Sequence, residues 1–491
     1  MSLSNVDTIP VALTYDDVLL IPQKSPVRSR KEVSTGTRLS RNVKLHIPIV
    51  ASNMDTVCEQ QTAIAMAREG GIGILHRFCS IDEQCGMVYK VKRAQTFLIE
   101  EPRMITPNQT KEEALEGLNW SGRKGGVNCL MVVNDFTKRT LLGIITRRDL
   151  VFADASTPVS KLMTPLKQMV VSRKIDITLE EAREMMRAHR TANIPIVGPS
   201  GELLYLVTLS DVLRLTENKQ ASRDSRGRLL VGAAVGVKRD DITRAARLVA
   251  AGADVLVVDI AHGHSSICID MVRQLKADPR TNSVDVIAGN IATSEAAEEL
   301  IRAGADGLKI GVGPGSICTT RLVAGSGVPQ LYAVMACTRV ARRYNVPCIA
   351  DGGVKMAGDI CKAIAAGADT VMLGNVLAGT DEAPGRVLVK DGRKVKIIRG
   401  MAGFGANLSK AERERTLDED VFVEMVPEGV EGSVPCKGPI APIVRQLVGG
   451  LRSGMSYCGA RTIPEMHAKA RFLRMTGSGL RESGSHDISK L

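Results

Sequence analysis

The 491-residue sequence predicts a (β/α)8 barrel interrupted by an inserted two-module unit. The composition is 44% hydrophobic with 46 glycines but only 3% aromatic, and Trp120 is the one tryptophan. That describes an aliphatic core crossed by many tight loops, as in a buried parallel sheet. An internal echo gives the repeat: Ala251-Gly252-Ala253-Asp254, Ala303-Gly304-Ala305-Asp306 and Ala366-Gly367-Ala368-Asp369 each close a helix-like stretch and lead into an apolar run. Glycine after a helix, then a short connection to a strand, marks repeated βα units.

The strands read in order at 18–21, 47–52, 72–76, 229–235, 255–260, 284–290, 307–311, 348–353 and 370–374. With helices between them they come to roughly the eight that close a barrel. An open doubly wound sheet is the alternative and explains the number of strands less well. Each candidate functional residue of the barrel is expected to follow the C-terminal end of a strand, where barrel active sites form.

Residues 100–218 break the pattern. One module ends Gly143-Ile144-Ile145-Thr146-Arg147-Arg148-Asp149, the other Tyr205-Leu206-Val207-Thr208-Leu209-Ser210-Asp211. Each pairs a strand with Thr-x-x-Asp opening a helix, so that the hydroxyl caps the helix and the carboxylate can reach a ribose. Thr146, Asp149, Thr208 and Asp211 are therefore candidate nucleotide ligands, against a purely structural insert. The polar stretch 219–228 reads as the return linker, so the barrel spans 1–99 and 219–491.

The eleven cysteines have no CxxC and no Cys/His cluster, and no secretory leader precedes them; reduced thiols in an intracellular protein are expected. No apolar stretch approaches the roughly 20 residues that span a bilayer. The net charge of +12 is dispersed and lacks stacking aromatics, which argues for anionic small ligands rather than nucleic acid. Ser489-Lys490-Leu491 at the C-terminus is a peroxisome-type address, read by an import receptor in a peroxisome or glycosome.

Chemistry centres on Gly311-Val312-Gly313-Pro314-Gly315-Ser316-Ile317-Cys318-Thr319-Thr320-Arg321. Glycines let backbone N–H groups approach a phosphate or a planar ring, and a thiol beside them can attack an electrophilic carbon. A buried structural cysteine after a tight turn is the plainer reading. With Ser52-Asn53-Met54-Asp55-Thr56-Val57, Asp351-Gly352-Gly353 and Val426-Pro427-Glu428-Gly429, this loop resembles the IMP dehydrogenase/GMP reductase family over nearly the whole chain. The insert resembles a tandem cystathionine-β-synthase (CBS, Bateman) pair, with Tyr205 where that family usually has glycine.

The resemblance implies roles residue by residue. Cys318 would attack purine C2, and Thr320 with Glu428 would handle the departing ammonia. Ser316 would bind phosphate with the N–H groups of Gly353 and Gly374, and Asp351 the ribose hydroxyls. Ser52 and Met54 would bind substrate, and Met401 and Glu428 would read the purine edge. Asp259, Asn290, Gly311 and Gly313 would lie at the cofactor, and Gly313, Gly315 and Cys318 at a monovalent cation such as potassium. CBS-bearing relatives bind ATP or GTP at the insert and shift between tetramers and octamers.

The family runs two reactions. One reduces GMP to IMP and ammonia with NADPH through a covalent Cys–purine intermediate. The other oxidises IMP with NAD and hydrolyses the intermediate to XMP, using an Arg-Tyr pair on a flap. Here the flap segment 400–428 contains no tyrosine, and the pair's position reads Arg413-Glu414-Arg415-Thr416. Without the phenol the hydrolytic base is incomplete, and positioned bases contribute roughly 10²–10⁴-fold. Ile260-Ala261 after Asp259, and Asn53 in place of proline, resemble the reductase pattern. The CBS insert is commoner in dehydrogenases, but residues that touch the reaction outweigh it. The expectation is the reductase reaction, with IMP dehydrogenation as the alternative.

Overall fold

The computed structural model describes residues 9–94, 97–119, 127–217, 220–414 and 426–484. Its contacts divide the chain into two compact units, 1–94 with 220–222 and 229–491, and 95–219 with 223–228. Residues 223–228, read from sequence as part of a linker, thus pack with the insert.

In the first unit eight parallel strands close a barrel: β1 (Ile49–Ala51), β2 (Ile72–Leu75), β3 (Gly232–Val235), β4 (Val255–Asp259), β5 (Asp285–Ile291), β6 (Gly307–Ile310), β7 (Cys348–Asp351) and β8 (Thr370–Leu373). Each leads to a helix, in turn α1 (Gln60–Arg68), α2 (Ile81–Ala94), α3 (Asp240–Ala250), α4 (Ser266–Ala277), α5 (Ser294–Arg302), α6 (Gln330–Arg343), α7 (Ala357–Ala365) and α8 (Ile440–Tyr457). Interior positions such as Val50, Ile74, Val257, Ile287 and Met372 are fully buried and pack as one cluster. The barrel is a packed core, so function is left to its loops.

The Ala-Gly-Ala-Asp echo has a structural cause. Asp254 accepts a hydrogen bond from the Val231 N–H at 2.7 Å. Asp306 accepts from Val286 at 2.9 Å and Asp369 from Cys348 at 2.9 Å. Each aspartate ends one helical return and satisfies a backbone donor at the start of the neighbouring strand, so the three tie the N-terminal end of the barrel together. Asp285 does related work there, accepting from Ser40 Oγ at 2.6 Å and the Asn42 N–H at 2.7 Å.

The run at 18–21 is not a barrel strand. Val18–Leu20 pairs antiparallel with Phe472–Arg474 in a separate two-stranded ribbon. The other eight runs supply the barrel.

The second unit contains two small sheets. Cys129–Val133 and Leu141–Thr146 form an antiparallel hairpin in one, Asn193–Val197 and Leu203–Thr208 in the other. A helix precedes each, Lys111–Asn119 and Leu179–His189. The modules are alike but unequal after their Thr-x-x-Asp segments: Thr208 leads into a helix at Leu209–Glu217, whereas Thr146 leads only into a single 3-10 turn at Arg148–Leu150. Gly143 is required by close approach, since a Cβ there would lie 2.5 Å from the Thr164 carbonyl oxygen. Tyr205 stands at the equivalent position of the second hairpin. Among the described residues no helix is long and apolar enough to cross a membrane.

Candidate active site

The site is built at the C-terminal ends of the barrel strands. After β6 the chain turns at Gly311 with φ +147°, where a Cβ would lie 2.1 Å from the Asp351 carbonyl oxygen. Only glycine lets the loops after β6 and β7 pass so closely. The β6 loop then presents Cys318, half-buried, its N–H bonded to the Gly315 carbonyl at 3.2 Å. Elsewhere burial pushes the thiols of Cys129, Cys337 and Cys361 up to about 12, which makes them packing residues.

The sulfur of Cys318 lies 3.2 Å from Thr320 Oγ1, and that hydroxyl donates to Glu428 Oε2 at 2.8 Å. Glu428 arrives from a distant segment by backbone stitching. The Thr319 N–H donates to the Glu428 carbonyl at 2.9 Å, Val430 donates to Ile317 at 3.0 Å, and Gly400 donates to Val430 at 3.1 Å. The base of the flap is thereby tied to the cysteine loop, giving a continuous line of thiol, hydroxyl and carboxylate.

Other loop ends carry free donors. The N–H groups of Gly353, after β7, and Gly374, after β8, donate to no protein acceptor among the described residues, and Ser316 is exposed. Unpaired N–H groups at loop ends can hold a phosphate. Met54 closes the β8 side, its sulfur 3.1 Å from where a Gly374 Cβ would be, and the Ser52 N–H donates to Leu373 at 3.0 Å. Met401 faces the same loop, its sulfur accepting the Asp55 N–H at 3.4 Å. Arg399 secures this corner, donating to Asp55 Oδ2 at 2.8 Å and to the Gly405 carbonyl at 3.1 Å.

Sequence reasoning missed the group at the centre. Lys309, on β6 and 3% exposed, lies 2.8 Å from Asp259 Oδ1 and 2.8 Å from Asp351 Oδ2, and also donates to Asn290 Oδ1. Burial alone would favour the neutral amine, but the two carboxylates outweigh it and hold the ammonium well above its ordinary range. Asp259 is the mirror case. Burial would raise it, yet Lys309 and Arg77, with hydrogen bonds from Lys309 and Asn53, hold it below the usual carboxylate range. Asn290 is committed to its neighbours, donating to the Gly311 carbonyl at 2.8 Å and to Asp351 Oδ2 at 2.9 Å. Its amide therefore braces the site. A lone lysine inside the apolar strand Gly-Leu-Lys-Ile was the signal that could have found it. Nothing in the sequence pointed to Arg399.

In the second unit the expected ligands bind each other. Asp149 Oδ2 accepts from the Thr146 N–H at 2.7 Å and from its hydroxyl at 2.8 Å. Asp211, 4% exposed, accepts from the Thr208 hydroxyl at 2.6 Å. The Thr-x-x-Asp pairs thus act first as turn locks. In the flap, Arg415, Thr416 and the C-terminal address at 489–491 lie outside the described residues. Gly313 and Gly315 lie in the cysteine loop as expected, and among the described residues no group of three His, Cys, Asp or Glu could hold a metal.

Comparison with known proteins agrees with this architecture. Residues 12–486 match the IMP dehydrogenase / GMP reductase domain. A GMP reductase of Leishmania donovani is 75% identical over 490 residues, covering 100% of both chains. An inosine-5'-monophosphate dehydrogenase of Nitrosopumilus maritimus is 47% identical over 480 residues, covering 97% of this chain and 98% of that one. Among solved structures, GMP reductase C318A from Trypanosoma brucei in complex with guanosine 5'-monophosphate matches with a TM-score of 0.86 at 74% identity, covering 99% of this chain and 100% of that one. A complex of the Trypanosoma brucei GMP reductase with guanosine 5'-triphosphate matches with a TM-score of 0.74 at 66% identity, covering 96% and 99%.

Proposed function

The chain belongs to the IMP dehydrogenase / GMP reductase family, and from that premise we propose that it reductively deaminates GMP to IMP and ammonia with NADPH. The observation that carries the reading is the unbroken line from Cys318 through Thr320 to Glu428. The missing flap tyrosine and the 75% identity to a GMP reductase, against 47% to an IMP dehydrogenase, favour this branch over IMP oxidation.

The residues act as follows. Thr320 passes the thiol proton of Cys318 to Glu428, and the thiolate forms a bond to C2 of GMP. Glu428 returns that proton through Thr320 to the exocyclic nitrogen, the C2–N bond breaks, and ammonia leaves a purine held by sulfur. Ser316, Gly353 and Gly374 hold the phosphate, Asp351 the ribose, and Ser52, Met54 and Met401 the base. When C2 becomes tetrahedral again, the C2–S bond breaks, IMP departs and Cys318 leaves as the thiolate, which takes a proton from solvent to restore the thiol.

A nicotinamide cofactor fits the chain. Asp259 offers a carboxylate, and Arg77 beside it has a buried Nε with no partner; together they suit a ribose hydroxyl and a phosphate. When bound, the nicotinamide supplies hydride to C2. Gly311 and Gly313 line the same loop. A potassium ion at the carbonyls of Gly313, Gly315 and Cys318 belongs to the proposal, since carbonyl oxygens suit hard cations.

Three further parts rest on sequence or on relatives. The insert 100–218 is a CBS pair binding ATP or GTP, a reading supported by its two hairpins, each followed by a Thr-x-x-Asp segment. The protein is a homotetramer that can form octamers. Ser489-Lys490-Leu491 directs it to a peroxisome or glycosome. Deleting 100–218 should leave turnover intact and remove any GTP or ATP effect, and regulation persisting in the deletion would refute the assignment.

The central test is absorbance at the nicotinamide band in two mixtures, GMP with NADPH and IMP with NAD⁺. A fall in the first alone is expected. A rise in the second alone would mean that the chain activates water without a flap tyrosine.

A further inference from the structure

Lys309 has three donors as an ammonium, and the structure supplies three acceptors: Asp259 at the end of β4, Asn290 on β5 and Asp351 at the end of β7. Asn290 and Lys309 both bind Oδ2 of Asp351, and Oδ1 has no protein partner among the described residues. In the reading proposed above Asp259 serves the cofactor and Asp351 the substrate ribose, so one buried cation is shared between the two halves of the reaction.

We infer that Lys309 is a positioning residue that electrostatically couples the ribose-binding carboxylate Asp351 to the cofactor-side carboxylate Asp259. The proposal rests on the GMP-reducing reading above. Its physical content is competition for a single charge. With Asp259 charged, its negative field opposes that of Lys309 at Asp351; with the Asp259 charge removed, Lys309 acts on Asp351 unopposed. The other groups facing the cluster are the Arg77 guanidinium, the Asn53 amide and the buried Cys268 thiol. Arg77 also bonds the Asp259 carbonyl at 3.4 Å, so its charge stays on the cofactor side.

The coupling predicts changes of opposite sign in GMP affinity. Lys309→Met removes the cation that Asp259, Asn290 and Asp351 share. GMP binding at pH 7 should weaken roughly tenfold or more, because a buried charge loses its partner. Asp259→Asn removes a competing anion and should tighten binding by about threefold or more, although no contact joins Asp259 to Asp351 except through Lys309 and its neighbours. Lys309→Arg keeps the charge and should restore affinity toward the wild-type value.

The experiment is calorimetric titration of the full chain with GMP, without cofactor, at pH 7. Affinity changes of opposite sign in Lys309→Met and Asp259→Asn, with recovery in Lys309→Arg, establish the coupling. An Asp259→Asn affinity equal to wild type overturns it, even where Lys309→Met does not fold. Failure of the wild type itself to bind GMP overturns the functional reading instead, and this proposal with it.

Discussion

The two ends of the barrel use the same residue type for opposite purposes. At the N-terminal end Asp254, Asp306 and Asp369 each accept a strand N–H, and the first two are also held by Lys92 at 2.6 Å and Lys276 at 2.8 Å. These bonds to strand N–H groups close that end of the barrel on itself. At the C-terminal end Asp259 and Asp351 share Lys309, and Asp351 Oδ2 meets only side chains. A carboxylate that meets a backbone donor of the neighbouring strand serves the fold, and one that meets only side chains at the barrel mouth stays open to binding. The lesson is that a buried aspartate is assigned by what its partners belong to, strand backbone or side-chain cluster.

The sharpest break should come at the open end. Cys318→Ala should lower turnover by more than about 10³-fold, because the nucleophile cannot be replaced by its neighbours. GMP binding should survive, since phosphate, ribose and base are held by other groups. Calorimetry beside the absorbance assay separates the two, and equal loss of both would show that the thiol is structural.

Next come the proton carriers. Thr320→Val and Glu428→Gln should each lower kcat by roughly 10²–10⁴-fold with modest change in KM for GMP. The two lie on one line, so the double variant should cost little more than either alone. Additive losses would mean that they act separately.

At the closed end the signature reverses. Asp306→Ala leaves the Val286 N–H without its acceptor and Lys276 without its anion. A loss of about 3 kcal/mol is expected, seen as a lower thermal midpoint with KM for GMP unchanged. The contrasting variant Asp351→Asn keeps an oxygen for Asn290 and Lys309, whose charge Asp259 still meets, and should raise KM with a smaller fall in midpoint. Exchange of these two outcomes would invalidate the distinction between the ends.

Much of this was legible in the sequence because local rules carried it. The Ala-Gly-Ala-Asp echo located three barrel strands, and the glycine loop located Cys318. The run at 18–21 failed because its partner, Phe472–Arg474, is more than 450 residues away along the chain. Lys309 was overlooked because strand reading weighs apolar pattern, and one charge inside Gly307–Ile310 looked like an interruption of it. The Asp55–Arg399 pair has no local signature at all, since its members are joined only by the fold.

The smallest effect tests the closed end from within. Asp369 differs from Asp254 and Asp306 in having no lysine partner among the described residues. Burial pushes its carboxyl up to about 6 from an ordinary 3.8, against the opposing Cys348 N–H and the Arg38 and Arg342 charges. A folded-state value above the unfolded one means that the unfolded chain releases its proton first as pH rises. Stability from this group is therefore fully present below about pH 4, is lost between about 4 and 6, and stays lost above that. Asp369→Asn does not titrate and keeps an oxygen to accept from Cys348. It should match wild type near pH 4 and exceed it by about 1–2 kcal/mol at pH 8, less than the roughly 3 kcal/mol that the full shift implies, because a neutral acceptor bonds more weakly. Asp254→Asn and Asp306→Asn should lose stability at pH 8, since each removes the carboxylate charge that Lys92 or Lys276 meets. Denaturation midpoints of the three variants at pH 4 and pH 8 decide whether the echo is three copies of one device or two copies and an exception.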